Sequence, residues 1–374
     1  MTKSPVQVVR IDCLDYNATG MFTPSSPLCP RIRRLATWCL LLLLAWGLWL
    51  WQLDASDLTF DEAATYLVTD RSPLAVVEYL RGATYEHPPV YYLLIRFWVA
   101  LAGSSEFCLR VPSVAAGLLC LPLAGWVMRA AWGRQERCAE IAAALVLGAM
   151  PGMAYYAREA RMYSVVMVWA LISSGLFLRD WATARRWPSL TAVAELATVH
   201  LLSLATHYYL FLFILVQPAV LVIRRRWRPL VAWVAVHCAL AMAALVWLSL
   251  APGLQMTAAG IRFDIGRLIP PWSELERLLG KLLFSPVVAY QVGHLVVVLL
   301  IVVAGMVGAL WVRPAAGVYL LCALLLPLGP VFALPRVPAP RYVVFWLPAM
   351  AIAVGFLTGM MRPVGAGAFR VEAL

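Results

Sequence analysis

The chain has 374 residues, of which 63% are hydrophobic and only 13% charged, and its mean hydropathy is +0.81. That balance excludes a soluble enzyme, a fibrous chain and a disordered regulator. The net charge of +11 is not one basic patch, which removes nucleic acid as an expected partner; the arginines sit in short clusters between apolar runs.

In chain order, residues 1–34 are polar, carry Pro24, Pro27 and Pro30, and lack a signal-peptide core, so a disordered cytoplasmic tail is expected. Apolar runs then recur almost to Met361 and predict spans at 35–53, 110–129, 139–156, 161–178, 189–206, 208–223, 229–250, 291–312, 315–334 and 342–361. Residues 35–361 thus form one membrane domain, and 362–374 a second cytoplasmic tail. With every arginine cluster on one side, that side carries 18 Lys and Arg against 5 Asp and Glu, and the other 12 against 12. The positive-inside rule makes the first side cytoplasmic. The fold class is an all-α polytopic membrane protein of about ten transmembrane helices, with long outer segments at 54–109 and 251–290. The apolar stretch from Val90 to Gly103 is too short to cross and contains Arg96, so it reads as an interfacial or re-entrant helix. The eight cysteines are scattered singly, without zinc-site or disulfide spacing.

Ionisable groups collect at the outer turns. Leu58-Thr59-Phe60-Asp61-Glu62 sets an acidic pair at the head of a predicted helix that Thr59 can cap; complementing the helix dipole is the bland role for both acids. In Glu86-His87-Pro88-Pro89 the prolines hold His87 in an extended turn, where Glu86 and His87 could offer ligands to a divalent cation or a phosphate, or simply face water. Tyr155-Tyr156-Ala157-Arg158-Glu159-Ala160-Arg161-Met162-Tyr163 packs two guanidinium groups, a carboxylate and three phenols between apolar spans. Arginine forks onto phosphate, although an aromatic belt with self-paired charges has the same composition. Thr206-His207-Tyr208-Tyr209 and Pro340-Arg341-Tyr342 lie at later outer turns. Several turns presenting the same chemistry to one face favour a shared site over separate bland roles. Within or near the spans stand Glu140, Glu195, His200 and His237.

These turns, in this order, resemble the GT-C superfamily of polyprenyl-phosphate-dependent glycosyltransferases. The likeness is to the family 39-like group, which includes protein O-mannosyltransferases and the lipid A aminoarabinose transferase. It rests on Asp61-Glu62, His87-Pro88-Pro89 with Tyr91-Tyr92, Glu106-Phe107 with Arg110-Val111-Pro112-Ser113, Tyr156 to Tyr163, Thr206 to Tyr209, and Arg341-Tyr342. The resemblance implies a multi-pass plasma-membrane enzyme, with inverting transfer of a sugar on the non-cytoplasmic face. The donor would be a polyprenyl-phosphate-linked sugar, since nucleotide sugars are confined to the cytosol. The acceptor would be a hydroxyl of a glycolipid, glycan or protein.

By the same resemblance, Asp61 would be the general base, Glu62 would shape its pocket and Glu159 would orient the acceptor. His87, Arg158, Arg161, Tyr163, His207, Tyr208 and Arg341 would bind phosphate and sugar. Relatives in the aminoarabinose branch have Lys where His87 stands, after a metal-associated Glu at the position of Glu86, which leaves a divalent ion at Glu86 and His87 possible. The alternative reading is a transporter or flippase for a polyprenyl-linked or polar solute, which calls for ionisable groups near the bilayer midplane.

Overall fold

The computed structural model describes residues 30–84, 87–132, 137–259, 264–333 and 339–361. Most of the first expected tail and all of the second lie outside these residues. The helices are α1 (Pro30–Leu50), α2 (Phe60–Thr69), α3 (Pro73–Gly82), α4 (Pro89–Ala102), α5 (Glu106–Trp132), α6 (Arg137–Ala149), α7 (Pro151–Ala157), α8 (Tyr163–Asp180) and α9 (Leu190–Thr206). There follow α10 (Leu210–Ile214), α11 (Val216–Ile223), α12 (Trp227–Leu250), α13 (Pro252–Ala259), α14 (Trp272–Phe284), α15 (Val292–Val312), α16 (Pro314–Leu325), α17 (Leu328–Ala333) and α18 (Trp346–Met360). No strand occurs among the described residues.

Every predicted span coincides with helix, but not always with one straight helix. Six segments are long and apolar enough to cross a membrane: Ile32–Leu50, Glu106–Trp132, Tyr163–Asp180, Trp227–Leu250, Val292–Val312 and Pro314–Ala333. The chain is thus a multi-pass membrane protein. The pair α6 and α7 makes a seventh if counted as one span, bent by 69°. The bend falls where Pro151 removes an amide donor, as an N-terminal proline does. Over the remaining predicted spans, α9, α10 with α11, and α18 are shorter apolar helices. The stretch predicted to be interfacial is α4, 14 residues long, whose Arg96 side chain donates to the Arg71 carbonyl.

The core is built around α5, which packs against α1, α6, α7 and α8. At Gly175 on α8, an added Cβ would lie 2.1 Å from the Trp126 ring, so only glycine admits this close approach of α5 and α8. Gly152 on α7 is tighter still: an added Cβ would lie 1.7 Å from the Leu282 carbonyl oxygen, which seats α14 directly on the bend. By contrast α12 is peripheral, with only Pro229 and Trp233 buried.

Glu140, Glu195, His200 and His237, the ionisable groups that the sequence places in or near the spans, are all paired. Glu140 is 2% exposed, and its carboxylate accepts from Arg34 of α1 at 2.9 Å and from Arg129 of α5 at 3.0 Å. Glu195 accepts from Arg179 at 2.5 Å. His200 Nδ1 lies 2.8 Å from His237 Nε2, and His200 Nε2 lies 2.8 Å from Ser173 Oγ. Gln217 donates to that hydroxyl and accepts from the Trp233 indole, while His237 Nδ1 reaches the Trp233 carbonyl. Both rings are satisfied as neutral imidazoles, in a chain that fastens α12 to α8, α9 and α11.

Candidate functional site

The site begins where α1 ends. Thr59 caps α2: its hydroxyl accepts from the Glu62 amide at 3.3 Å, and the Glu62 carboxylate accepts from the Thr59 amide at 2.9 Å. This reciprocal box is what the Thr59-x-x-Glu62 spacing encodes. It also points the neighbouring acids in different directions. Glu62 is 1% exposed and takes Arg110 of α5 on both oxygens, at 2.8 and 2.9 Å, plus the Ala160 amide at 2.9 Å. Burial pushes this carboxyl up, but Arg110 and the Ala160 and Thr59 amides together hold it below the usual carboxylate range. Arg110 spends its remaining N–H groups on the Leu53, Ser56 and Asp57 carbonyls. Glu62 and Arg110 therefore lock α2, the segment before it, α5 and the 158–162 turn into one frame. With both oxygens bonded, Glu62 braces the site, and it also lines the cavity beside it.

Asp61 faces the other way. Its Oδ2 accepts from Arg341 Nη1 at 2.6 Å, with the two side chains 29% and 43% exposed. The Asp61 carbonyl accepts from Arg161 at 3.2 Å, and Arg161 also donates to Thr65 Oγ1 at 3.0 Å. Arg161 is 6% exposed, its own carbonyl is held by Ser113, and its Nε has no partner among the described residues. The turn between α7 and α8 thus brings a fixed guanidinium against the base of the Asp61 helix.

His87 and His207 complete this side. Their rings stack with centroids 4.3 Å apart, and Tyr163 stands 6.5 Å from His207. The Tyr209 amide donates to His207 Nδ1 at 3.1 Å, which assigns the ring proton to Nε2. His207 Nε2 and His87 Nδ1 are both buried without a hydrogen-bond partner among the described residues. Burial, followed by the charges of Arg161 and Arg341, pushes His207 down to about 3; burial, His207 and both arginines lower His87 as well. Both rings are neutral at physiological pH.

On the opposite flank, a cavity of about 410 Å³ is lined by Thr59, Glu62, Arg110, Tyr155, Arg158 and Glu159, among others. Burial, together with the nearby charges of Glu62 and Asp61, raises Glu159 to about 7 against the pull of Arg161 and Arg341. A carboxyl of this kind changes charge near neutrality, a property common at reactive sites.

Of the residues that the sequence brings forward, Asp61, Glu62, His87, Glu159, Arg161, Tyr163, His207 and Arg341 meet at one end of the bundle. Two do not join the cation cluster. Arg158 donates to the Trp51 and Gln52 carbonyls at 2.8 and 2.9 Å, capping the end of α1, where a positive charge suits the dipole. Tyr208 turns to α12, its hydroxyl accepting from Trp247 at 3.1 Å. Glu86 lies outside the described residues. Among those described, no three His, Cys, Asp or Glu side chains converge on a metal position, and His87 is committed to a ring stack. Arg110, quoted above only as part of the resemblance, received no role from the sequence; its signal is a guanidinium in an apolar span, which is costly unless paired.

A search of solved structures matches ArnT from Cupriavidus metallidurans in two states. The apo structure aligns at 16% identity and TM-score 0.57, over 90% of this chain and 61% of that one. The structure bound to undecaprenyl phosphate aligns at 17% identity and TM-score 0.59, over 88% and 60%. The chain thus spans about three-fifths of the length of the protein it matches. No protein-family model matches, and no curated protein sequence matches. The likeness of the coordinates shows the fold: the chain has an ArnT-like transmembrane fold.

Proposed function

We propose that this chain is a membrane glycosyltransferase that moves a sugar from a polyprenyl-phosphate carrier to an acceptor hydroxyl, with inversion, on the non-cytoplasmic face. The observation that carries the reading is the meeting of an accessible carboxylate, Asp61, with the guanidinium groups of Arg161 and Arg341. The ArnT structure bound to undecaprenyl phosphate supports a lipid-linked donor for this fold. The arrangement of charge supports this face: Arg34 and Arg129 hold Glu140 near the start of α1 and the end of α5, whereas the site lies at the end of α1.

In the proposed reaction the acceptor oxygen attacks the anomeric carbon from the side opposite the phosphate. Asp61 takes the hydroxyl proton as the glycosidic bond to phosphate breaks, and the leaving oxygen's growing charge is met by Arg161 and Arg341. The N–H groups at His207 Nε2 and Arg161 Nε, without partners among the described residues, serve as donors to phosphate or sugar oxygens in this reading. Glu159 holds the acceptor at the mouth of the cavity, where a glycolipid, glycan or protein hydroxyl can enter between apolar walls. Membrane lipids surround the spans.

Replacing Asp61 with Asn should lower transfer by roughly 10²- to 10⁴-fold, the usual worth of a positioned base, with insertion and thermal stability unchanged. Full turnover by that variant would remove the proposed base. A transporter would need open ionisable groups at mid-bundle, and the paired states of Glu140, Glu195, His200 and His237 do not favour it.

A further inference from the structure

We propose that Arg341 is a switchable counterion: it pairs with Asp61 before reaction and transfers to the leaving phosphate as Asp61 becomes protonated. This rests on the reading of Asp61 as base and of the donor as a phosphate ester.

The two arginines of the cluster differ in how they are held. Arg161 is 6% exposed and fixed by the Asp61 carbonyl and Thr65. Arg341 is 43% exposed on its side chain and lies on a short 3-10 turn, Pro340–Val343. Its contact with Asp61 Oδ2 at 2.6 Å is a charge-assisted bond that a competing anion can reach. His87, His207 and Glu159 all feel both guanidinium charges, so the two cations share one neighbourhood.

The charges balance without any added reactant. Before reaction Asp61 carries one negative charge, the donor phosphodiester one, and Arg341 one positive. The acceptor O–H bond breaks, a bond forms from its oxygen to the anomeric carbon, and the anomeric carbon's bond to phosphate oxygen breaks with its electron pair going to that oxygen. Asp61 is then neutral and the polyprenyl phosphate carries one more negative charge. Arg341 loses its partner at the carboxylate in the same step that creates a stronger one at the phosphate. A fixed cation could serve only one of these states.

The test is a binding cycle with undecaprenyl phosphate, read on purified protein in detergent. Asp61→Asn reproduces the neutral state of the base and should bind the lipid phosphate about tenfold more tightly than the parent, because Arg341 is released. In the Arg341→Gln background the same change should alter affinity by less than about threefold. Arg341→Lys, which keeps the charge, should retain most of the tenfold coupling and so separates loss of charge from loss of fold. Equal gains in the two backgrounds, or no gain in either, would overturn the proposal. Turnover is a separate readout: an inactive Asp61→Asn that shows no coupling keeps the base and removes the switch, whereas an active one removes the base itself.

Discussion

Two histidine pairs in this chain are built to opposite rules. At mid-bundle, His200 and His237 are hydrogen-bonded on every ring nitrogen, through Ser173, Trp233 and each other. At the site, His87 and His207 stack face to face and leave Nδ1 of one and Nε2 of the other without partners among the described residues. Closing every bond is what a buried polar group requires if its task is to fasten helices. Leaving bonds open costs stability, and a fold tolerates that where a ligand supplies the missing partner. The contrast is one of polar satisfaction between these two pairs.

The contrast can be pressed hardest at the frame beneath the site. Glu62→Leu leaves the buried Arg110 guanidinium unpaired and should cost about 3–5 kcal/mol, seen as a large fall in thermal stability with loss of activity. A chain of unchanged stability would mean that the frame is not structural. Next, His200→Leu strands Ser173 and His237 and should cost about 1–3 kcal/mol, while the surviving folded enzyme keeps its turnover. Strongly reduced turnover at normal stability would turn the mid-bundle pair into a functional site and erase the distinction. His207→Phe should do the reverse: activity falls by about tenfold, the loss expected from one hydrogen bond near 1.4 kcal/mol, and the melting temperature hardly moves.

The smallest effect is a pH limb. If ionised Glu159 orients the acceptor, kcat/KM should rise with pH through about 7, and Glu159→Gln should flatten that rise. The stability sign is opposite: a carboxyl raised from 4.5 to about 7 keeps its proton longer when folded, so the fold weakens as pH climbs through that window. The same Gln substitution should remove that slope in thermal melts.

Much of the architecture is legible in the sequence because it is local. Apolar runs mark the helices, the Thr59-to-Glu62 spacing predicts its own cap, and the Arg158-to-Tyr163 turn is charged between two apolar stretches. Partner choice is not local. Arg110 meets Glu62 across 48 residues, and nothing in either neighbourhood specifies the pairing. Arg158 resembles Arg161 in sequence, yet one caps α1 and the other reaches the Asp61 helix, because a tight turn sends neighbouring side chains to different faces. Tyr208 and His207 diverge for the same reason. The bend between α6 and α7 is announced by Pro151, but its 69° angle and the close approach of α14 at Gly152 are not.

The bond between Asp61 and Arg341 joins positions 280 residues apart. A ribosome therefore delivers the carboxylate long before its cation. However early the other parts settle, the pair stays open until the segment that carries Arg341 has been made. A premature stop anywhere before Pro340 would leave a membrane-embedded polypeptide with Asp61 lacking this counterion.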